Sequence, residues 1–83
     1  MRTIYTRQYR AFVKAIKEER LRRGLSQTDV AKRLKVSQSS WVSKLEMGQH
    51  RIDIVEFYRL AKAIGFDPIK MLRKVYRENN GRR

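Results

Sequence analysis

Between Gln38 and Lys44 the chain reads Gln-Ser-Ser-Trp-Val-Ser-Lys, a run of short hydroxyls and amides ending in a long cation. Val42 and Leu45 lie three apart and predict one inward helical face, which turns Ser39, Ser40, Ser43, Lys44 and Met47 outward. Serine can give or accept a hydrogen bond at several base edges, lysine can reach guanine acceptors, and glutamine can bind adenine at two points. Such a face is suited to the major groove of duplex DNA. Composition alone does not distinguish it from an ordinary solvated helix.

Charge supports a polyanionic partner. The 83 residues carry 21 Lys and Arg against 8 Asp and Glu, a formal net charge of +13. Neutralising nucleic-acid phosphates releases condensed counterions, so a basic chain of this size is expected to bind in a salt-sensitive way. Phosphate contacts are expected from Lys32, Arg33, Lys35, Lys44, His50 and Arg51, which flank the outward face in sequence.

Other chemistry is poorly supplied. There is no cysteine and a single histidine, so neither a thiolate nucleophile nor a second ligand at metal spacing accompanies His50. No glycine-rich phosphate loop is present, and Glu18, Glu19, Asp29, Glu46, Asp53, Glu56, Asp67 and Glu78 read as helix caps or ion-pair partners. The expectation is a chain without enzymatic activity, metal or cofactor. No apolar stretch approaches the roughly 20 residues that cross a bilayer, and the start lacks a signal-peptide core, which predicts a cytoplasmic, nucleoid-associated protein.

Positioning the outward face requires helices. Tyr9, Phe12, Val13, Ile16 and Arg20 recur at helical spacing, predicting a first helix that stops before Gly24. Ser26 and Asp29 form a box-like cap before Val30, Ala31 and Leu34 of a short second helix. A third helix is predicted to start at Ser37 or Gln38, to carry Trp41, Val42 and Leu45, and to end at Gly48. Asp53 caps a fourth, with Ile54, Val55, Phe57, Leu60, Ala61 and Ile64 inward, ended by Gly65. Asp67 and Pro68 open a fifth, with Ile69, Leu72, Val75 and Tyr76 as its apolar stripe. Residues 1–6 form an arm in which MRTIYT could pair as a brief extended segment, and the basic tail 79–83 is expected to fray. The chain is thus expected to be one all-α domain spanning 1–83, and Ala31 permits a close crossing of helices two and three as a helix-turn-helix.

The order of these pieces resembles a known family, the phage-repressor and Cro-like helix-turn-helix regulators, also called the xenobiotic-response-element family. The resemblance runs from about Ile4 to Leu72. It is carried by Arg-x-x-x-Gly-Leu-Ser-Gln at Arg20 to Gln27, Val-Ala-x-x-Leu at Val30 to Leu34, Gln-Ser at Gln38, Val-Ser-Lys-Leu-Glu-x-Gly ending at Gly48, and Arg-Ile-Asp at Arg51 to Asp53. A subgroup of small single-domain regulators is closer, with Ile-Tyr matched at Ile4 and Tyr5 and Val-Glu-Phe at Val55 to Phe57.

The resemblance implies a five-helix, lambda-repressor-like domain that inserts helix three into the major groove as a homodimer. Gln38, Ser39, Ser40 and Lys44 match base-facing positions, with Ser43 at the groove wall. Gln27 matches a phosphate contact, and Arg20 and Glu46 match a buried ion pair. Leu34 to Glu46 is one residue longer than the usual pattern, with Lys35, Val36 and Ser37 replacing a glycine-containing turn. Placing the extra residue in the turn keeps Val42 and Leu45 inward, whereas placing it inside helix three would rotate the groove residues by about 100°. Trp41 can pack into the seam between helices two and three or meet a partner. For dimerisation, the leftover stripe of helix five competes with the Ile4 and Tyr5 arm. Two alternatives remain: an antitoxin or adaptor acting mainly through a protein partner, and a coating protein that grips nucleic acid without reading bases.

Overall fold

The computed structural model describes residues 6–80, with side chains through Arg77. Five helices follow in order: α1 Arg7–Arg22, α2 Gln27–Leu34, α3 Ser40–Glu46, α4 Ile54–Ile64 and α5 Pro68–Asn80. There is no strand among the described residues. All of the extended segment but Thr6, including the Ile4–Tyr5 arm, lies outside them, as do residues 81–83; α5 itself runs to Asn80.

Local chemistry explains most boundaries. Thr6 Oγ1 accepts the Tyr9 amide and starts α1. Ser26 and Asp29 close a reciprocal capping box at α2, and Asp53 with Glu56 closes another at α4. Asp67 Oδ1 accepts the amides of Ile69 and Lys70 at the start of α5. Hydrogen bonds from the Ser26 backbone and hydroxyl hold the Asp29 carboxyl below its usual range, with Lys32 and Arg33 adding to the effect. Gly65 ends α4 at φ 102°, where a side chain would be strained and its Cβ would sit 3.3 Å from Arg23 Nε.

Helix α3 departs from expectation. It begins at Ser40, later than Ser37 or Gln38, and its N-cap Ser39 makes no side-chain capping bond. The cause lies in the turn. Lys35 takes the left-handed conformation, φ 62° and ψ 36°, and Val36 then folds back so that its amide donates to the Ala31 carbonyl. Lys35 is the only non-glycine described residue with positive φ. Val42 and Leu45 are both buried, so the inward face of α3 is the one the spacing predicts.

Ile16, Val30, Val42, Leu45 and Leu60 are the largest of the fully buried side chains in the core. Val13, Ala31, Leu34, Phe57, Ala61, Ile64, Phe66, Met71 and Val75 surround them. Phe57 bridges two rings, with centroids 4.8 Å from Phe12 and 5.9 Å from Phe66. α1 packs on α5 and α3, while α2 packs on α3 and α4. The α2–α3 pair thus lies against the core through Val30, Ala31, Leu34, Val42 and Leu45.

Two helical faces are corrected. Ile54 and Val55, expected inward, are 77% and 61% exposed, because the first turn of α4 lies beyond the core that Phe57 and Leu60 reach. On α5 Val75 is buried as expected and Met71, four residues before it, joins it, whereas Ile69, Leu72 and Tyr76 are exposed. Helix α5 meets α1 along a face about 100° away from the one counted in the sequence. No helix among the described residues is long and apolar enough to cross a membrane.

Candidate nucleic-acid interface

Burial of Val42 and Leu45 fixes the rotation of α3. Ser40, Lys44 and Met47, at intervals of four and three, are exposed along the opposite side. Ser39 and Ser43 are half-buried at the margins of this stripe. Gln38 is exposed just ahead of the helix, and its Oε1 accepts the Ser40 hydroxyl at 3.1 Å. That bond sets the amide orientation at the amino end of the stripe. Lys44 occupies the last turn at its other end.

The carboxyl end of α3 is clamped to two other helices. Arg20 Nε donates to Glu46 Oε2 at 2.6 Å, and Arg20 Nη2 donates to Glu46 Oε1 at 3.0 Å. Arg20 Nη1 also donates to the Leu25 carbonyl at 2.8 Å, which ties in the chain entering α2. Gln27 Nε2 donates to Glu46 Oε1 at 2.9 Å, so the first residue of α2 is held against the last of α3. One Gln27 amide hydrogen is committed there, leaving the second for an external acceptor.

After α3 the loop is braced from α1. Tyr9 Oη donates to the His50 carbonyl and accepts the Ile52 amide, both at 3.2 Å. The His50 ring packs on Trp41 with centroids 5.1 Å apart. Its Nε2 lies 3.2 Å from the Trp41 carbonyl and its Nδ1 3.2 Å from the Arg51 carbonyl. His50 is thereby engaged within the protein. Arg51 stands exposed on the braced loop, and Trp41 is half-buried against the core.

The remaining cations separate into two groups. Lys32, Lys35, Lys44 and Arg51 are exposed, and the ion pairs among the described residues involve none of them. Arg33 is drawn instead to α4, where its Nη1 donates to the Ala63 carbonyl at 2.9 Å. The structure thus gathers Gln38, Ser40, Lys44 and Arg51 along α3 and its following loop, with Gln27 beside them. It places Arg33 against a different helix. No group of three or more potential metal ligands occurs among the described residues.

Sequence reasoning missed the tether from Tyr9, whose spacing in α1 gave only a half-apolar position. It also missed the Trp41–His50 contact. An aromatic and a histidine nine residues apart carry no local pattern; only the turn at 47–50 brings them together.

Against known proteins, the chain matches the helix-turn-helix family over residues 16–71. No curated protein matches it significantly. Among solved structures, it is similar to an XRE-family like protein from Pseudomonas syringae pv. tomato str. DC3000, with 33% identity over 87% of this chain and 89% of that one, at a TM-score of 0.80. The restriction-modification controller protein C.AhdI from Aeromonas hydrophila is 30% identical over 74% of this chain and 91% of its own, at a TM-score of 0.67. A mutant of the restriction-modification controller protein C.Esp1396I shares the fold, with a TM-score of 0.80 over 96% of this chain and 100% of that one, at 16% identity.

Proposed function

The chain belongs to the XRE/Cro-like helix-turn-helix family of DNA-binding regulators, and from that premise we propose that it is a sequence-specific, repressor-type transcriptional regulator of the cytoplasm. It inserts α3 into the major groove and acts as a homodimer. The observation that carries this reading is the rotation of α3. With Val42 and Leu45 buried, Ser40 and Lys44 face outward on a helix whose end is fixed by Arg20 and Glu46. Side chains held in this way can discriminate base edges, whereas mobile cations grip any duplex.

Gln38, Ser39 and Ser43 supplement the base contacts from the start and margins of the helix. Gln27, Lys32, Lys35 and Arg51 set the register on the phosphates. His50 contributes by holding the Arg51 loop, its ring N–H donating to the Trp41 or the Arg51 carbonyl according to tautomer.

One α3 helix makes few base contacts, so two copies on a roughly palindromic site, half-sites about one DNA turn apart, are needed for useful specificity. Exposed Ile54, Val55 and Tyr58 on α4 supply an apolar face for the second copy. A separate groove, lined by Tyr9, Phe12, Arg51, Leu72 and Tyr76, lies between α1 and α5.

Selection of the purified protein on random duplex DNA at near-physiological salt tests the reading. A two-fold motif is expected in the bound pool. Binding without enrichment would leave a coating protein, and no binding would favour the adaptor reading, in which a protein partner is the main target.

A further inference from the structure

Arg33 and Arg59 cross-brace α2 and α4. Arg33 Nη1 donates to the Ala63 carbonyl near the end of α4, and Arg59 Nη2 donates to the Leu34 carbonyl at the end of α2, at 3.3 Å. Terminal helix carbonyls lack intrahelical partners and carry the negative end of the helix dipole, so each guanidinium is fixed in place by the other helix. Each uses a single N–H for this purpose, and a guanidinium carries five. The ion pairs among the described residues include neither arginine.

With Lys62, Leu34 and Ala63 they line an open cleft of about 370 Å³. Among the described residues no carboxylate lines it, and no residue of α3 does. The acids nearest along the same helices accept hydrogen bonds at helix starts, although Asp29 also feels the charge of Arg33 and Glu56 shares a neighbouring cleft with Arg59. Asp29 on α2 accepts the Ser26 amide, and Glu56 on α4 accepts the Asp53 amide. The cleft therefore presents three cations, two of them with donor forks already oriented.

We propose that this cleft is a second phosphate-binding surface, separate from α3, which takes the phosphodiester backbone of duplex DNA. The proposal rests on the DNA-binding reading and adds a second place of contact. Braced guanidinia match phosphate oxygens in a planar, bidentate manner and lose little side-chain freedom on binding. The open shape suits a polymer passing over it, because small-ligand sites enclose most of their ligand's surface. Arg33, which the sequence placed among the phosphate contacts, serves here rather than beside α3. The backbone comes either from the flank of the duplex read by α3 or from a second duplex.

The test compares Lys62→Ala, which leaves both braces intact, and Arg59→Ala/Lys62→Ala with the unaltered protein on random-sequence duplex over a range of salt. Lys17→Ala, at an exposed position on α1, serves as the charge control. Each lost phosphate contact lowers the slope of log K against log salt by about 0.9. The expected fall is about 1 for Lys62→Ala and about 2 for the double variant, with no change for Lys17→Ala and the same preferred motif throughout. Capture of a second, labelled duplex by protein on immobilised DNA separates the sources. Its loss in the double variant assigns the cleft to a second duplex, and retained capture with the lowered slope assigns it to the flank. Unchanged slopes together with undiminished capture of the second duplex in folded variants, or an equal fall for Lys17→Ala, overturn the cleft while leaving the α3 reading intact. Failure of the unaltered protein to bind duplex DNA overturns both.

Discussion

Arg20 and Glu46, 26 residues apart in sequence, meet as a two-point ion pair whose side chains are only 8% and 3% exposed. The pair joins α1 to the end of α3, and Gln27 and the Leu25 carbonyl complete its hydrogen bonding. Glu46→Ala is expected to destabilise the fold by roughly 3–5 kcal/mol, because it strands the buried guanidinium rather than merely removing an attraction. Urea unfolding of the two proteins measures the difference; a loss below about 1 kcal/mol would place the pair among exposed ones.

Tyr9→Phe probes the loop that carries Arg51. The substitution keeps the ring beside Phe12 but removes the donor to His50 and the acceptor for Ile52. Two hydrogen bonds of this kind contribute together about 1–2 kcal/mol. Thermal melts should show that loss. Affinity for specific and random duplex should fall by the same factor, since a loosened phosphate-contact loop affects positioning rather than base choice.

Readout and positioning separate by substitution. Lys44→Ala and Ser40→Ala should relax or abolish sequence preference, each good base contact giving roughly 1–3 kcal/mol of discrimination. Arg51→Ala should weaken every duplex alike and lower the salt slope by about 0.9. Competition binding between the selected site and a scrambled duplex measures both quantities. Equal proportional losses for all three variants would remove α3 as the reader.

The parts of this fold legible in sequence are those determined by neighbours along the chain. The Ser26–Asp29 box, the Asp53 cap and the burial of Val42 and Leu45 follow from local spacing. The facing of α4 and α5 did not follow. Each carries more apolar residues than its buried side can take, so Ile54, Val55 and Leu72 remain outside for reasons set by the reach of α1 and α2. Arg33 and Tyr9 find partners 30 and 41 residues away, beyond any periodicity.

Lys35 shows a third case, in which the sequence locates a turn without giving its conformation. A left-handed φ at a non-glycine residue costs about 1–2 kcal/mol, whereas glycine adopts it freely but loses more entropy on folding. Lys35→Gly should therefore raise stability by about 0.5–1 kcal/mol. Its affinity for duplex should drop by the contribution of one phosphate contact. Lys35→Asn, which also tolerates this conformation, provides an independent check by chemical denaturation. A destabilised glycine variant would indicate that the lysine side chain itself supports the turn.

Dimerisation gives the last prediction. Ile54, Val55 and Tyr58 cluster at the start of α4 and are each more than half exposed. Burying such a face against its copy removes apolar area from water on both chains at once, about 25 cal/mol for each Å². Ile54→Glu would place a carboxylate in that contact twice across a two-fold axis, opposing like charges as well as losing apolar burial. Sedimentation over a concentration series should show the unaltered chain as a dimer and Ile54→Glu with a dissociation constant raised at least tenfold, about 1.4 kcal/mol or more. Leu21→Glu, on α1 and comparably exposed, should leave the dimer unchanged. An undiminished Ile54→Glu dimer would move the interface to Leu72 and Tyr76 on α5, where Leu72→Glu should then separate the two chains.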